Sequence, residues 1–260
     1  MNLGQFKIKF AEGLFSFENK PLKLYDYQKK LILDENRYRI VNKARQLGLS
    51  LCLAIEALIE CLINPNYTVL FVSTGEEAAK RILDYVYDLI NSMPDHLRPR
   101  LSVQTKTEIR FVNKSKLVSL PSNPSTIRGY RAHRVYIDEA AHFLNDKEIF
   151  SAIQPSISRG GKMTVVSTPF GRANTYYEIW DTHPLYTKHK IPWFECPDPK
   201  YVEGVKQDKK DMDEIEFSQE YECNFCSDEM AYFPFSLLRP CIDDSLFNLT
   251  ELRNRNICRL

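Results

Sequence analysis

The stretch YRIVNKARQLGLS, residues 38–50, followed by LCLAIEALIECLI over 51–63, decides how this chain is read. YRIVNK (38–43) is a short β-type run and 51–63 is apolar with helical character, so 43–50 is the loop joining a strand to a helix. Phosphate-holding loops at such junctions have the form G-x-x-x-x-G-K-[ST], in which backbone N–H groups and the helix N-terminus cradle the anion. Here Gly48 and Ser50 occupy the later glycine and the Ser/Thr positions, Leu49 replaces the usual lysine, and Lys43 stands in place of the first glycine. Lys43, five residues before Gly48, is placed to reach phosphates from the other side of the loop, and Ser50 carries a hydroxyl able to ligate Mg²⁺. On this loop alone, an ordinary strand–loop–helix connection stays equally open.

Working outward, TVLFVST (68–74), RVYID (134–138) and KMTVVST (162–168) are further buried-strand runs, with helical or polar segments between them. Thr74 and Glu77 have capping-box spacing for a helix running to about Asn91, and EIRFV and KLVSL flank Asn113-Lys114-Ser115 as a hairpin. Continuous apolar strands alternating with helices predict an α/β fold: a mainly parallel sheet with helices on both faces. After about residue 185 the composition turns Pro-, aromatic- and then acid-rich. The expected organisation is a core over 1–184, a lid or linker subdomain over 185–235, and an extension over 236–260.

Composition narrows the class. The 260 residues carry 35 Lys+Arg against 34 Asp+Glu, so a globally basic nucleic-acid binder is excluded, though a basic face is not. From Arg100 to Arg134 there are eight basic residues against one acid, a net of +7. From Glu203 to Glu229 the net is −7. Seven cysteines, with Cys52 and Cys61 in an apolar helical pattern, read as a reducing compartment. No apolar stretch has the length of a membrane span, and the N-terminus lacks the pattern of a signal peptide.

Two more segments carry chemistry. Asp138 and Glu139 end a β run: one carboxylate can hold Mg²⁺ while its neighbour orients and deprotonates an attacking water. Ser167 and Thr168 end a strand that a parallel sheet can place beside the acids, near a γ-phosphate. The order of loop, helix, strand and acid pair makes a nucleotide hydrolase the better reading. Upstream, Tyr27 is placed to stack on adenine and Gln28 to pair with its edge. Cys223-Asn224-Phe225-Cys226 has the spacing of half a zinc site, and Cys196 or Cys241 could supply a further ligand. Without a second such pair no zinc is expected, because a structural site needs four ligands. His133 and His142 are read as structural.

Together these motifs resemble the ATPase domain of phage and prophage large terminase subunits, the motors that package DNA into capsids. The resemblance rests on Tyr27-Gln28, on the loop Lys43, Ala44, Arg45, Gln46, Leu47, Gly48, Leu49, Ser50, and on Asp138-Glu139-Ala140-Ala141. It also rests on Thr126-Ile127-Arg128-Gly129, Ser167-Thr168-Pro169, and Phe217 to Cys223, covering roughly residues 24–235. It implies a P-loop sheet of the RecA/ASCE type, ATP and Mg²⁺ as ligands, Glu139 as catalytic carboxylate, Asp138 with Ser50 serving the metal, and Arg45 as a loop arginine on the phosphates. It further implies Arg128 as a finger presented to a neighbouring subunit, and Ser167-Thr168 as the coupling motif. Some members are thought to use a lysine from the start of the loop, as Lys43 stands here.

The implied partners are double-stranded DNA, a portal protein and a small terminase subunit. The implied assembly is a homo-oligomeric ring, monomeric in isolation, in the cytoplasm of an infected or lysogenic host cell. Lys106, Arg110, Lys114 and Lys116 are the expected DNA contacts, made to phosphates rather than bases. The sequence ends where the family's nuclease domain begins, so no DNA cleavage is expected of these residues. Two alternatives remain at this point: a non-hydrolysing nucleotide-binding or docking module with a decayed site, and a helicase-like ATPase. The helicase is the weaker, because one extra alanine displaces His142 from the DEAH pattern.

Overall fold

The computed structural model describes residues 1–226. In chain order, α1 (Leu3–Leu14), a small hairpin β1 (Ser16–Phe17) and β2 (Lys20–Pro21), and α2 (Asp26–Leu33) precede the first long strand, β3 (Tyr38–Lys43). Then come α3 (Leu49–Ile63), β4 (Thr68–Ser73), α4 (Glu76–Ser92), β5 (Leu101–Gln104), β6 (Glu108–Phe111), β7 (Lys116–Pro121), α5 (Pro124–Ile127) and β8 (Arg134–Asp138). The rest comprises α6 (Asp146–Ile153), β9 (Lys162–Ser167), α7 (Thr175–Thr182), β10 (Thr187–Ile191), α8 (Pro199–Asp211) and α9 (Glu214–Glu220).

Eight strands form one sheet in the order β10-β3-β9-β8-β4-β7-β6-β5. The six from β10 to β7 are parallel, and β6 and β5 continue it antiparallel. The expected α/β sheet with helices on both faces is therefore present. Its strands alternate strictly between two cores, as the period of two requires. Val41, Val69, Phe71 and Tyr136 face α1–α4, whereas Ile40, Leu70, Val72, Val135 and Ile137 face α6 and α7.

The topology builds the site. The chain leaves β3, forms α3, and returns as β4 on the far side of β9 and β8, so the end of β3 sits beside the ends of those two strands. Asn42 is in register with Ser167, and Asp138 with Val166. Lys43, Ser167 and Asp138 thus end three neighbouring strands at the edge where α/β folds bind ligands.

Several expectations are corrected. Thr74 does not cap α4; Gly75 is the N-cap and no side chain caps it, leaving Glu76 and Glu77 in the first turn to complement the helix dipole. Residues 187–191, expected to open a lid, are instead β10, an edge strand beside β3, and residues 1–225 form one compact unit. Arg134, counted in a basic surface, is fully buried. The extension over 236–260, residues 227–235 and Cys241 lie outside the described residues.

Candidate nucleotide site

Three side chains at the strand ends define the site. Lys43 Nζ lies 2.8 Å from Glu139 Oε1 and is buried. Ser50 Oγ, in the first turn of α3, donates to Asp138 Oδ2 at 2.8 Å. Asp138 Oδ1 is buried with no hydrogen-bond partner among the described residues. The lysine in place of the first glycine thus reaches across the loop to the second acid of the pair. Burial alone disfavours its charge, but Glu139 and Asp138 outweigh that and raise its pKa. Glu139 goes the other way: burial opposes its ionisation, and Lys43 overcomes it and holds the carboxylate below its ordinary range. Burial, then repulsion from Glu139, raises Asp138.

Backbone geometry fits the loop to its task. Gly48 is the N-cap of α3 at φ +65, and a Cβ there would stand 3.2 Å from Gln28 Nε2. Only glycine meets both conditions cheaply. Glu139 also has positive φ, +57, which turns its side chain off the line of β8 at a site where such strain is tolerated.

The loop borders a cavity of about 590 Å³, within the range of ligand pockets, whose opposite wall is α4 through Arg81 and Tyr85. Arg45, more than half exposed, lines this cavity and an adjoining one of about 260 Å³ with Glu139, His142 and Thr168. Ala44 donates its N–H to Ile191 at 2.9 Å, fixing the start of the loop to β10. Gln46 lies in the left-handed region at φ +58, and Leu47 and Leu49 are buried in the core.

The residues at the end of β9 also converge on the acid pair. Ser167 Oγ accepts from the Ala141 N–H at 3.1 Å and sits 3.5 Å from Glu139 Oε2. Thr168 Oγ1 and His142 Nε2 are 3.0 Å apart. His142, expected to be merely structural, therefore bridges the end of β8 and the turn after β9, and it is among the groups that lower Glu139. His133 accepts the Thr68 N–H on Nδ1 and stacks on Tyr67.

Tyr27 and Gln28 do something other than expected. Tyr27 is 3% exposed and donates its hydroxyl to the Leu47 carbonyl at 2.8 Å, so its ring face is not free to stack on a base. Gln28 donates to the Gly48 carbonyl at 3.2 Å and accepts the Tyr25 N–H. The pair clamps the loop from beneath. A cavity of about 360 Å³ on that side is bordered by Tyr25, Gln46, Leu51 and Tyr201 as well as the clamp.

The expected DNA contacts do not form one face. Lys106 sits in the β5–β6 turn beside the C-terminal end of β7, and Lys114 in the β6–β7 turn beside its N-terminal end, so the hairpin holds them at opposite ends of the sheet. Arg110 pairs with Glu108 at 2.6 Å, and Lys116 lies over the Tyr130 ring at 5.7 Å. Arg128 is exposed at the end of α5 and is absent from the wall of the 590 Å³ cavity. Cys223 Sγ makes a 3.3 Å hydrogen bond to the Ile191 carbonyl, and burial pushes its thiol up to about 12.

Sequence reasoning missed a buried ion cluster behind the loop. Glu56 and Glu60 on α3 hold Arg39 from β3, Arg134 from β8 and Lys7 from α1. Tyr136 and Tyr67 donate hydroxyls to the same carboxylates. The available signal was two acids at i, i+4 within an otherwise apolar helix.

A parallel sheet with a phosphate-type loop on one strand and paired acids on a neighbour defines a RecA-like P-loop domain. The family described as terminase large subunit, T4likevirus-type, N-terminal, matches residues 40–240, and the chain belongs to it. It is 21% identical over 271 residues to the terminase ATPase subunit of Escherichia phage P2, covering 92% of this chain and 44% of that protein. The chain thus spans less than half the length of the curated relatives it matches. Among solved structures it resembles the Thermus phage P74-26 large terminase ATPase domain, with a TM-score of 0.67 at 21% identity over 78% of this chain and 94% of that one. The large terminase of another thermophilic bacteriophage, solved in complex with ADP, superposes with a TM-score of 0.65 at 10% identity over 79% and 54%. Among the described residues, no helix is long and apolar enough to cross a membrane.

Proposed function

We propose that this chain binds and hydrolyses ATP with Mg²⁺, and that hydrolysis drives translocation of double-stranded DNA into a viral procapsid. The observation that carries the reading is the junction of Lys43 with Glu139 and of Ser50 with Asp138 at the rim of the 590 Å³ cavity. In support, the similar thermophilic-phage terminase was solved with ADP and with ATP-γ-S.

In this reading Lys43 and Arg45 neutralise phosphate charge, the N–H groups of the loop and of the first turn of α3 cradle the anion, and Glu139 orients the attacking water and takes its proton. Glu139 is suited to that task because it is held ionised. The residues fit a divalent ion: Ser50 Oγ and Asp138 meet, and Asp138 keeps a buried oxygen unpartnered among the described residues. When bound, Mg²⁺ would neutralise the phosphates and polarise the bond that breaks. Lys43 bound to Glu139 is the resting arrangement, and a triphosphate competes with Glu139 for the same ammonium. Exposed Arg128, outside its own chain's cavity wall, suits a finger offered to a neighbour in a ring. Portal protein and small terminase subunit are the partners such a motor would engage in the host cytoplasm.

Phosphate release, measured with and without duplex DNA for wild type and Glu139→Gln, tests the reading. Hydrolysis by wild type, raised by DNA and reduced at least roughly 100-fold in Glu139→Gln, is expected. ATP binding with no hydrolysis under any condition would favour the non-hydrolysing module.

A further inference from the structure

The basic segment 100–134 does not form one face, yet one of its arginines meets cations from elsewhere in the chain. Arg131, just before β8, and Arg159, in the turn that leads into β9, border a cavity of about 310 Å³ together with His133 and Lys162. Tyr67, just before β4, borders it too and stacks on His133 with ring centroids 4.7 Å apart. The cavity lies where β4, β8 and β9 begin, a strand's length, roughly 13 Å, from the acid at the far end of β8. It is therefore separate from the cavity at the loop.

Packing brings these residues together without using the two guanidinium groups. The Ala132 N–H donates to the Ser156 carbonyl at 3.0 Å. A Cβ on Gly161 would stand 2.6 Å from the Ala132 carbonyl, so glycine is what lets the turn lie against residue 132. Arg37 binds the Gly161 and Ile157 carbonyls at 3.0 and 3.1 Å, and so occupies two oxygens that would repel an anion. Lys162 is paired with Glu35 at 2.8 Å. Arg131 and Arg159, by contrast, are exposed, and their guanidinium groups make no hydrogen bond or ion pair among the described residues. None of the described residues bordering the cavity is a carboxylate. Two unpaired guanidinium groups on one rim gain from an anion between them, and each presents N–H groups in the fork geometry that fits phosphate. His133 uses Nδ1 for the Thr68 N–H, which leaves its other ring nitrogen as a donor.

We propose that this cavity is an anion site, apart from the one at the loop, that takes a phosphate group between Arg131 and Arg159. The inference goes beyond the nucleotide-hydrolase reading and does not depend on it. Free inorganic phosphate and the backbone of a DNA duplex carry the same group. Lys116, which opens β7 level with the start of β4, adds a cation at this end of the sheet.

Modification of the intact chain by phenylglyoxal, an arginine-directed reagent, followed residue by residue by mass spectrometry, tests the site. At saturation, inorganic phosphate or a short duplex is expected to slow modification of both Arg131 and Arg159 roughly threefold or more, while exposed Arg100 keeps its rate. Protection by inorganic phosphate alone makes the free ion the occupant, and protection by the duplex makes it the backbone. In the second case Arg131→Gln/Arg159→Gln is expected to weaken duplex binding and to lower the slope of log Kd against log salt concentration by about 2. Protection by neither probe, equal slowing at Arg100, or an unchanged salt slope where the duplex protects would overturn the proposal.

Discussion

At the residue scale the loop departs from the usual motif in a way that packing explains. Leu49 is 2% exposed in the core formed with α1–α4, and Lys43 already supplies the ammonium at the acid pair. Restoring the ordinary motif with Leu49→Lys is therefore expected to lower stability by roughly 2–4 kcal/mol without raising kcat, checked by chemical denaturation and steady-state hydrolysis. Tyr27→Phe is expected to cost about 1 kcal/mol, because the Leu47 carbonyl loses its shortest donor and, among the described residues, keeps Gln28 at 3.4 Å. The same variant should raise KM for ATP more than it lowers kcat, since the loop loses a clamp and not a reacting group. That Lys43, Ser50, Asp138 and Glu139 meet was legible in the sequence because each lies within a short strand-end motif. The role of Tyr27 was not: stacking on a base and clamping a loop ask for the same residue types, and burial alone separates them. Glu220 was legible only as part of a family motif, since its partner Arg45 is 175 positions away in sequence.

At the element scale α3 is held at both ends of its task. Its first turn presents Ser50 to the acids, and its middle carries Glu56 and Glu60 to three buried cations. Because β3 carries Arg39 and β8 carries Arg134, this cluster fixes the helix to the two strands whose ends meet in the site. Glu56→Gln leaves those cations short of one charge and is expected to destabilise the chain by roughly 3–5 kcal/mol, read from urea unfolding. Nothing in local pattern announced the cluster beyond the spacing of its two acids, because its cations come from three separate segments. The parallel strands were legible as apolar runs. The lid boundary was not, since TKHKI (187–191) is too polar to read as a strand. It forms an edge strand, covered less fully than the central ones, and its backbone pairing with β3 carries it.

At the scale of the whole molecule the same cluster sets the response to acid. Burial alone raises Glu56 and Glu60, but Arg134 with Lys7, joined by Arg39 for Glu56, outweighs it and lowers both below the ordinary carboxylate value of 4.5. Groups lowered on folding stabilise the chain above their unfolded pKa, and that contribution is lost as pH falls through the folded value. Lys7, Arg39 and Arg134 are raised by the same carboxylates, so their share persists through neutral pH and fails only in strong base. Tm is thus expected to be nearly level from about pH 7 to pH 5 and to drop steeply below roughly pH 4.5, as followed by circular dichroism. The opposed charge of the segments 100–134 and 203–229 was legible, but its meaning at this scale differs. Arg134 is buried, Lys106 and Lys114 stand at opposite ends of the sheet, and Glu220 turns into the cavity beside Glu139.

In the proposed mechanism a lysine from the start of the loop serves the phosphates of a working hydrolase. Steady-state phosphate release by Lys43→Ala, beside wild type of equal thermal stability, tests it most directly. A loss on the order of 100-fold or more in kcat/KM is expected, because the acid pair loses the buried ammonium that faces it. Hydrolysis by Lys43→Ala at the wild-type rate would contradict it.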